Sequence, residues 1–256
     1  MDSQGPDRPH LFPDHHLARR SVLLGGCVLA AGGVVGVTSA LRPSPERNVR
    51  SAAATSEEPA PEETGSRADA PRPRGAAPKI HTVGQWGARR PRRQPTVLSR
   101  APKYIVVHHT FTANVSDFSV AQGHHIARAI QRVHMAQGWG DTGQHFTISR
   151  GGHVMEGRTG SLAAARRGAM VIGTHVGGAN DYTVGIECEG TYNSVMPPRQ
   201  LLKSLTQMCA WLCRQYRLDP REAIVPHMRF NDTDCCGYEF APTLPRLRAE
   251  VAKLVP

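Results

Sequence analysis

Aromatic side chains are scarce in this 256-residue chain, which has 3 Trp, 5 Tyr and 6 Phe. That leaves no row of stacking platforms for single-stranded nucleic acid, and no reading helix or zinc knuckle makes up for it, so no nucleic-acid partner is expected. Acidic residues are also in deficit: 21 Asp plus Glu face 31 Lys plus Arg, a formal charge of +10. Long apolar runs are missing. The one candidate, Val22 to Val37, is interrupted by five glycines and falls short of the roughly 20 residues that span a bilayer. Cysteine is sparse, six in all, and Cys27 lies within that apolar run.

What the N-terminus does contain is an address. Arg19-Arg20 precede the apolar run, and small residues follow at Thr38-Ser39-Ala40. A basic region, a short apolar region and a small-residue end make a secretory signal, here resembling the twin-arginine type, with cleavage expected after Ala40. An uncleaved anchor is one alternative. Leu24-Gly25-Gly26-Cys27 resembles a lipoprotein box, but Cys27 lies in the middle of the run rather than at its end. With cleavage after Ala40, no stable membrane span remains. Residues 41–79, rich in Pro, Ala, Glu and Arg, lack periodic apolar positions and read as a disordered linker. Folding is then confined to residues 80–256, a length that buries roughly 70% of its unfolded surface. This part holds 21 Lys plus Arg against 12 Asp plus Glu, or +9. A basic exported surface favours polyanions, anionic cell-wall polymers first among them. Arg89-Arg90-Pro91-Arg92-Arg93 is its densest cluster, which a plain solvated loop also explains.

Periodicity predicts the elements. Lys103 to Val107 is an unbroken, β-branched run, hence a buried strand. Ile126, Ile130 and Val133 fall at helical spacing within a helix over about 117–137 that Gly138 stops. Residues 144–149 and 153–156 form a hairpin around Arg150-Gly151-Gly152. Residues 183–189 and 224–225 are further strands, and helices cover about 198–216 and 244–254. Strands mixed with crossover helices predict an α/β domain, a mixed central sheet flanked by helices. Cys209 and Cys213 lie four apart on a helix, with Cβ atoms about 5–6 Å apart where a disulfide needs about 3.8 Å, so they do not pair with each other. Bridges or buried thiols among Cys188, Cys209, Cys213 and Cys236 both remain open.

Chemistry concentrates in two distant stretches, Tyr104 to Thr110 and Pro226 to Gly237. The first delivers His108 to a strand end, with His109 facing the opposite side. In the second, His227 and Cys235 stand eight residues apart in a polar loop. Two imidazoles and one thiolate describe a catalytic zinc that keeps a place for water, whereas structural zinc closes with four ligands. A fourth ligand could come only from His109 or Asp234.

From about Trp86 onward the chain resembles the zinc amidase family that includes peptidoglycan recognition proteins and phage amidase-type lysozymes. The matching stretches, in family order, are Gln85 to Arg89, Tyr104 to Thr110, Gln137 to Phe146, Val154 to Arg158, Gly173-Thr174-His175, Val184 to Glu187, and His227 to Gly237. The resemblance implies a recognition-protein-like amidase fold and zinc held by His108, His227 and Cys235. It also implies hydrolysis of the N-acetylmuramoyl-L-alanine bond of peptidoglycan by a zinc-activated water. Glu187 matches the general base of anhydro-muropeptide amidases, with Glu189 on the same strand face; a structural pairing with arginine is the other reading of Glu187. His175 and Thr233 match pocket residues beside the developing oxyanion. Two positions depart from the family: Gln144 stands where recognition proteins carry tyrosine, and Cys236 where proline follows the ligand cysteine. Gln144 sustains the alternative of a recognition module that binds muropeptide without cutting it. Trp139 is expected in the core.

Overall fold

The computed structural model describes residues 77–255. The expected signal peptide and most of the linker lie outside the described residues. Among those described, no helix is long and apolar enough to cross a membrane.

The core strand is β3 (Tyr104–His109), two residues longer at its C-terminal end than its apolar run suggests. Ile105, Val106 and Val107 have no solvent exposure. Both faces are covered, as an unbroken β-branched run in a parallel sheet requires. β3 pairs in parallel with β7 (Thr183–Cys188) on one side and β8 (Ile224–Pro226) on the other. β4 (Phe146–Ile148) extends the sheet in parallel with β7 and turns back into β5 (Val154–Glu156), the antiparallel hairpin that Arg150-Gly151-Gly152 predicts. A two-residue strand, β1 (Ile80–His81), closes the edge, giving the order β1-β5-β4-β7-β3-β8. A second, two-stranded sheet joins β2 (Val97–Leu98) to β6 (Met170–Val171). Periodicity missed β1, β2 and β6, because two residues cannot show a period.

The two faces of the main sheet take different helices. α3 (Arg199–Tyr216) aligns Leu201, Leu205, Met208 and Leu212 on one stripe, each fully buried against Ile105, Val107, Phe146, Val184 and Ile186. Each such side chain contributes roughly 1.5–3 kcal/mol on burial. Trp211 meets Phe146 edge-on at 6.3 Å. α5 (Leu244–Ala252) covers the same face through Leu244, Leu247 and Val251. On the opposite face lies α1 (Val120–Ala136), capped by Ser119, whose hydroxyl accepts from the Gln122 N–H at 3.2 Å. Its Ile126, Ala127 and Ile130 pack on Trp86 and Met155. The short α2 (Ser161–Arg166) and α4 (Pro220–Ala223) complete the helices, α4 leading directly into β8.

Cys188, Cys209, Cys213, Cys235 and Cys236 are free, buried thiols. Both sequence options are thereby resolved in favour of buried thiols.

Candidate active site

Parallel pairing of β3, β7 and β8 brings their C-terminal ends to one rim of the sheet, where open α/β sheets bind ligands. The register places His108 opposite Glu187, on the same face, and Val107 opposite Pro226, so that His227 follows beside His108. Their rings lie 4.4 Å apart between centroids. Cys235 arrives from the loop after β8. That loop is tied down by the Met228 N–H on the Cys235 carbonyl at 2.9 Å and by the Cys235 N–H on Thr233 Oγ1 at 3.3 Å. Gly237 is required there, since its φ is +111° and a Cβ would collide with the Tyr192 carbonyl.

The donor atoms of His108, His227 and Cys235 lie within 4.8 Å of one another. Cys235 Sγ stands 3.6 Å from His108 Nδ1. Tetrahedral zinc, with bonds of about 2.05 Å to nitrogen and 2.3 Å to sulfur, sets those two ligand atoms about 3.6 Å apart. The donor set therefore fits a zinc-type ion without rearrangement of that pair. The His109 N–H points at Cys235 Sγ from 3.3 Å. Burial pushes the Cys235 thiol up, and this N–H works in the opposite direction by favouring the thiolate. Burial holds His108 well below the usual imidazole range, and the neighbouring His175 and His227 rings add to it. His227 is lowered by burial, partly offset by its bond to Asn231. Neutral imidazoles are the form that binds metal.

Neither candidate for a fourth protein ligand joins the cluster. His109 Nδ1 accepts from the Tyr192 N–H at 3.3 Å, and Asp234 is bonded to Asn193. An open cleft of about 250 Å³ lies over the three donors, lined also by His134, Trp139, His175, Glu187 and Thr233.

Glu187 is half-buried, and its carboxyl has no hydrogen-bond or ion-pair partner among the described residues. Burial raises its pKa to about 8. Such a carboxyl beside a three-donor cluster is placed to take up and release protons near neutral pH. Glu189 has the structural role instead: buried, it accepts from Gln122 Nε2 at 2.6 Å and from the Arg150 N–H at 2.8 Å. The Thr233 hydroxyl accepts from the Cys235 N–H, which leaves its own proton free for the cleft. His175 forms part of the cleft wall, but both of its ring nitrogens are engaged, with His108 Nε2 at 3.0 Å and Thr183 Oγ1 at 3.4 Å.

One sequence expectation changes. Trp139 is not core: it is 36% exposed on the cleft wall, its ring 4.5 Å from that of His134. The sequence signal was present, since Gly138 and Gly140 flank it with φ of +86° and +78°, marking a turn that lifts the side chain out. Gln144, at the family's tyrosine position, is fully buried and donates to Thr147 Oγ1 at 2.8 Å rather than lining the cleft.

Fold and donor set together define a mixed-sheet domain with a cluster of two histidines and a cysteine that could hold a metal ion, opening onto a cleft. The chain belongs to the Amidase_2 family, N-acetylmuramoyl-L-alanine amidase, whose profile matches residues 98–238. Peptidoglycan-recognition protein LB of Drosophila melanogaster is 29% identical over 163 residues, covering 63% of this chain and 66% of that protein. The alignment thus spans about two thirds of that relative's length. The solved Drosophila PGRP-LB superposes with a TM-score of 0.56 at 26% identity, covering 65% of this chain and 92% of that one. The endolysin amidase LysCS of Clostridium intestinale shares the fold, with a TM-score of 0.54 at 24% identity over 69% of this chain and 97% of its own.

Proposed function

We propose that this protein is a zinc-dependent amidase that hydrolyses the bond between N-acetylmuramoyl and L-alanine in peptidoglycan. The observation that carries the reading is Glu187, an unpaired carboxyl opening onto the same cleft as the His108, His227 and Cys235 donors. PGRP-LB, a relative by sequence and fold, has been solved as a point mutant in complex with tracheal cytotoxin, which supports a muropeptide as the ligand here.

His108, His227 and Cys235 would hold the ion. When bound, zinc supplies a Lewis acid for the scissile carbonyl and lowers the pKa of a water towards about 7. Glu187 would accept a proton from the attacking water and return it to the leaving alanine nitrogen, a role suited to a carboxyl that burial has made more basic. A cation held by the three donors would favour the ionised form of Glu187, the form that can accept a proton. The Thr233 hydroxyl donates to the carbonyl oxygen as negative charge develops. Trp139 and His134 wall the cleft beside the reacting bond. Export through the segment around Arg19-Arg20 and attraction of the basic domain to anionic wall polymers belong to the same proposal. A normally exported variant with both arginines changed to Lys would count against twin-arginine export.

The test is digestion of purified peptidoglycan by the full chain, with new L-alanine amino termini and bound zinc both measured. Wild type is expected to hold one zinc and cut, Cys235→Ser to lose the metal, and Glu187→Gln to keep it while losing rate. Wild-type protein that binds zinc and muropeptide yet releases no amino termini would show a non-cutting recognition module instead.

A further inference from the structure

The segment between β6 and β7 contributes no metal donor, yet with Thr183 at the start of β7 it is bonded directly to His108 and, through Asn231, to His227. Its hydrogen bonds form a chain in which each proton is fixed by the one before. The Thr183 hydroxyl donates to the Ala179 carbonyl at 2.7 Å. A hydroxyl has one proton, so towards His175 Nε2, at 3.4 Å, Thr183 can only accept. His175 must then carry its proton on Nε2 and a lone pair on Nδ1. His108 Nε2, 3.0 Å from that lone pair, is therefore the donor. This leaves the His108 lone pair on Nδ1, the atom that faces Cys235 Sγ.

The segment reaches His227 one step removed, through Asn231 of the loop after β8. His227 Nε2 lies 3.0 Å from Asn231 Oδ1, and the Asn231 amide reaches the Gly177 carbonyl at 3.4 Å. Only with nitrogen towards Gly177 and oxygen towards His227 does the amide satisfy both, which puts the His227 proton on Nε2. The segment itself is pinned by Asn180 Oδ1, which accepts from the His175 N–H at 2.7 Å and the Val176 N–H at 3.0 Å. Room for the His175 ring is built into the backbone. A Cβ on Gly173 would come within 2.6 Å of its Cδ2, and one on Gly185 within 2.6 Å of its Nδ1.

We propose that residues 173–183 are a brace that fixes both histidines as Nδ1 donors, with His175 and Thr183 as positioning residues. His175, with both nitrogens committed, then acts on His108 and offers no N–H to a substrate carbonyl. The inference rests on the reading that His108, His227 and Cys235 bind a metal ion; it does not require that the protein cut peptidoglycan.

The test uses the full chain as wild type, Thr183→Val and Thr183→Ser. Nitrogen-15 NMR of the imidazoles reads the tautomers in metal-free and zinc-loaded protein, and competition with a chromophoric chelator reads zinc affinity. The expected result is Nε2–H on His108, His175 and His227 in wild type. Thr183→Val should lose the uniform His175 tautomer and bind zinc about 10–100-fold more weakly, the usual effect of removing an outer partner of a metal ligand. Thr183→Ser should restore both, which a general packing defect would not allow. Cobalt substitution adds a spectroscopic check, since a displaced His108 alters the visible absorption. Unchanged zinc affinity in Thr183→Val, or a proton on His108 Nδ1 in metal-free wild type, would overturn the brace, as would wild type that retains no metal. If the tautomers and affinities follow the pattern while peptidoglycan stays uncut, the amidase reading falls and the brace stands.

Discussion

Replacing Glu187 by Gln separates what this residue does for chemistry from what it costs the fold. The carboxyl is half-buried without a charged partner, and burial raises its pKa to about 8 from a usual value of 4.5. In metal-free protein the unfolded chain therefore releases this proton at lower pH than the folded chain. Between pH 4.5 and 8 the folded state binds more protons, so stability falls as pH rises through that window. At pH 7 the gap to the unfolded pKa is about 2.5 units, at about 1.4 kcal/mol per unit. After a discount for the solvent-facing side of the carboxyl, the destabilisation is about 2 kcal/mol. Glu187→Gln keeps the shape and removes the charge. The metal-free variant should be about 2 kcal/mol more stable than wild type at pH 7, about 4–8 °C in Tm for a domain of this size. At pH 4.5 the advantage should vanish. The same variant, zinc-loaded, should lose about 10²–10⁴ in kcat, the span assigned to a general base. Urea melts at several pH values and peptidoglycan digestion measure the two effects. A variant that loses activity with no pH-dependent gain in stability would refute the account of Glu187 as a desolvated, unpaired carboxyl.

Other buried positions carry expectations of their own. His145 accepts from the Gly185 N–H on Nδ1 and donates from Nε2 to the Val171 carbonyl, and burial lowers its pKa to about 4. Because the folded pKa lies below the unfolded value of 6.5, its contribution is intact above that pH and about 3 kcal/mol is lost as pH falls through 4; His145→Gln should flatten that part of the urea-midpoint profile. Gln144 does not line the cleft, so Gln144→Met should change kcat less than about twofold, while the buried Thr147 hydroxyl loses its donor at a cost of about 1–3 kcal/mol. A rate loss of about tenfold would mean that Gln144 swings into the site during the reaction. Gly152 has φ +82°, and a Cβ there would meet the Gln200 carbonyl at 2.7 Å. Gly152→Ala should therefore cost about 2–4 kcal/mol in urea unfolding, combining left-handed strain with a clash.

The chain's local patterns determine a great deal. The β-branched run before His108 forms a strand buried on both faces, and the stripe from Leu201 to Leu212 can only be an amphipathic helix. Residue types and an eight-residue spacing single out His108, His227 and Cys235 before any coordinates, because a histidine and a thiol in a polar loop have few other uses. Tertiary structure decided what no local pattern carries. Parallel pairing of β3 with β7 and β8, elements far apart along the chain, sets Glu187 opposite His108 and brings His227 alongside. Pairing between distant strands depends on how the whole sheet packs, so a carboxylate with raised pKa cannot be told from a surface one by sequence. Trp139 is the opposite case: the glycines on either side of it are a local sign of the turn that exposes it. His175 takes its partners from Thr183 and His108, through hydrogen bonds that form only once the sheet has closed.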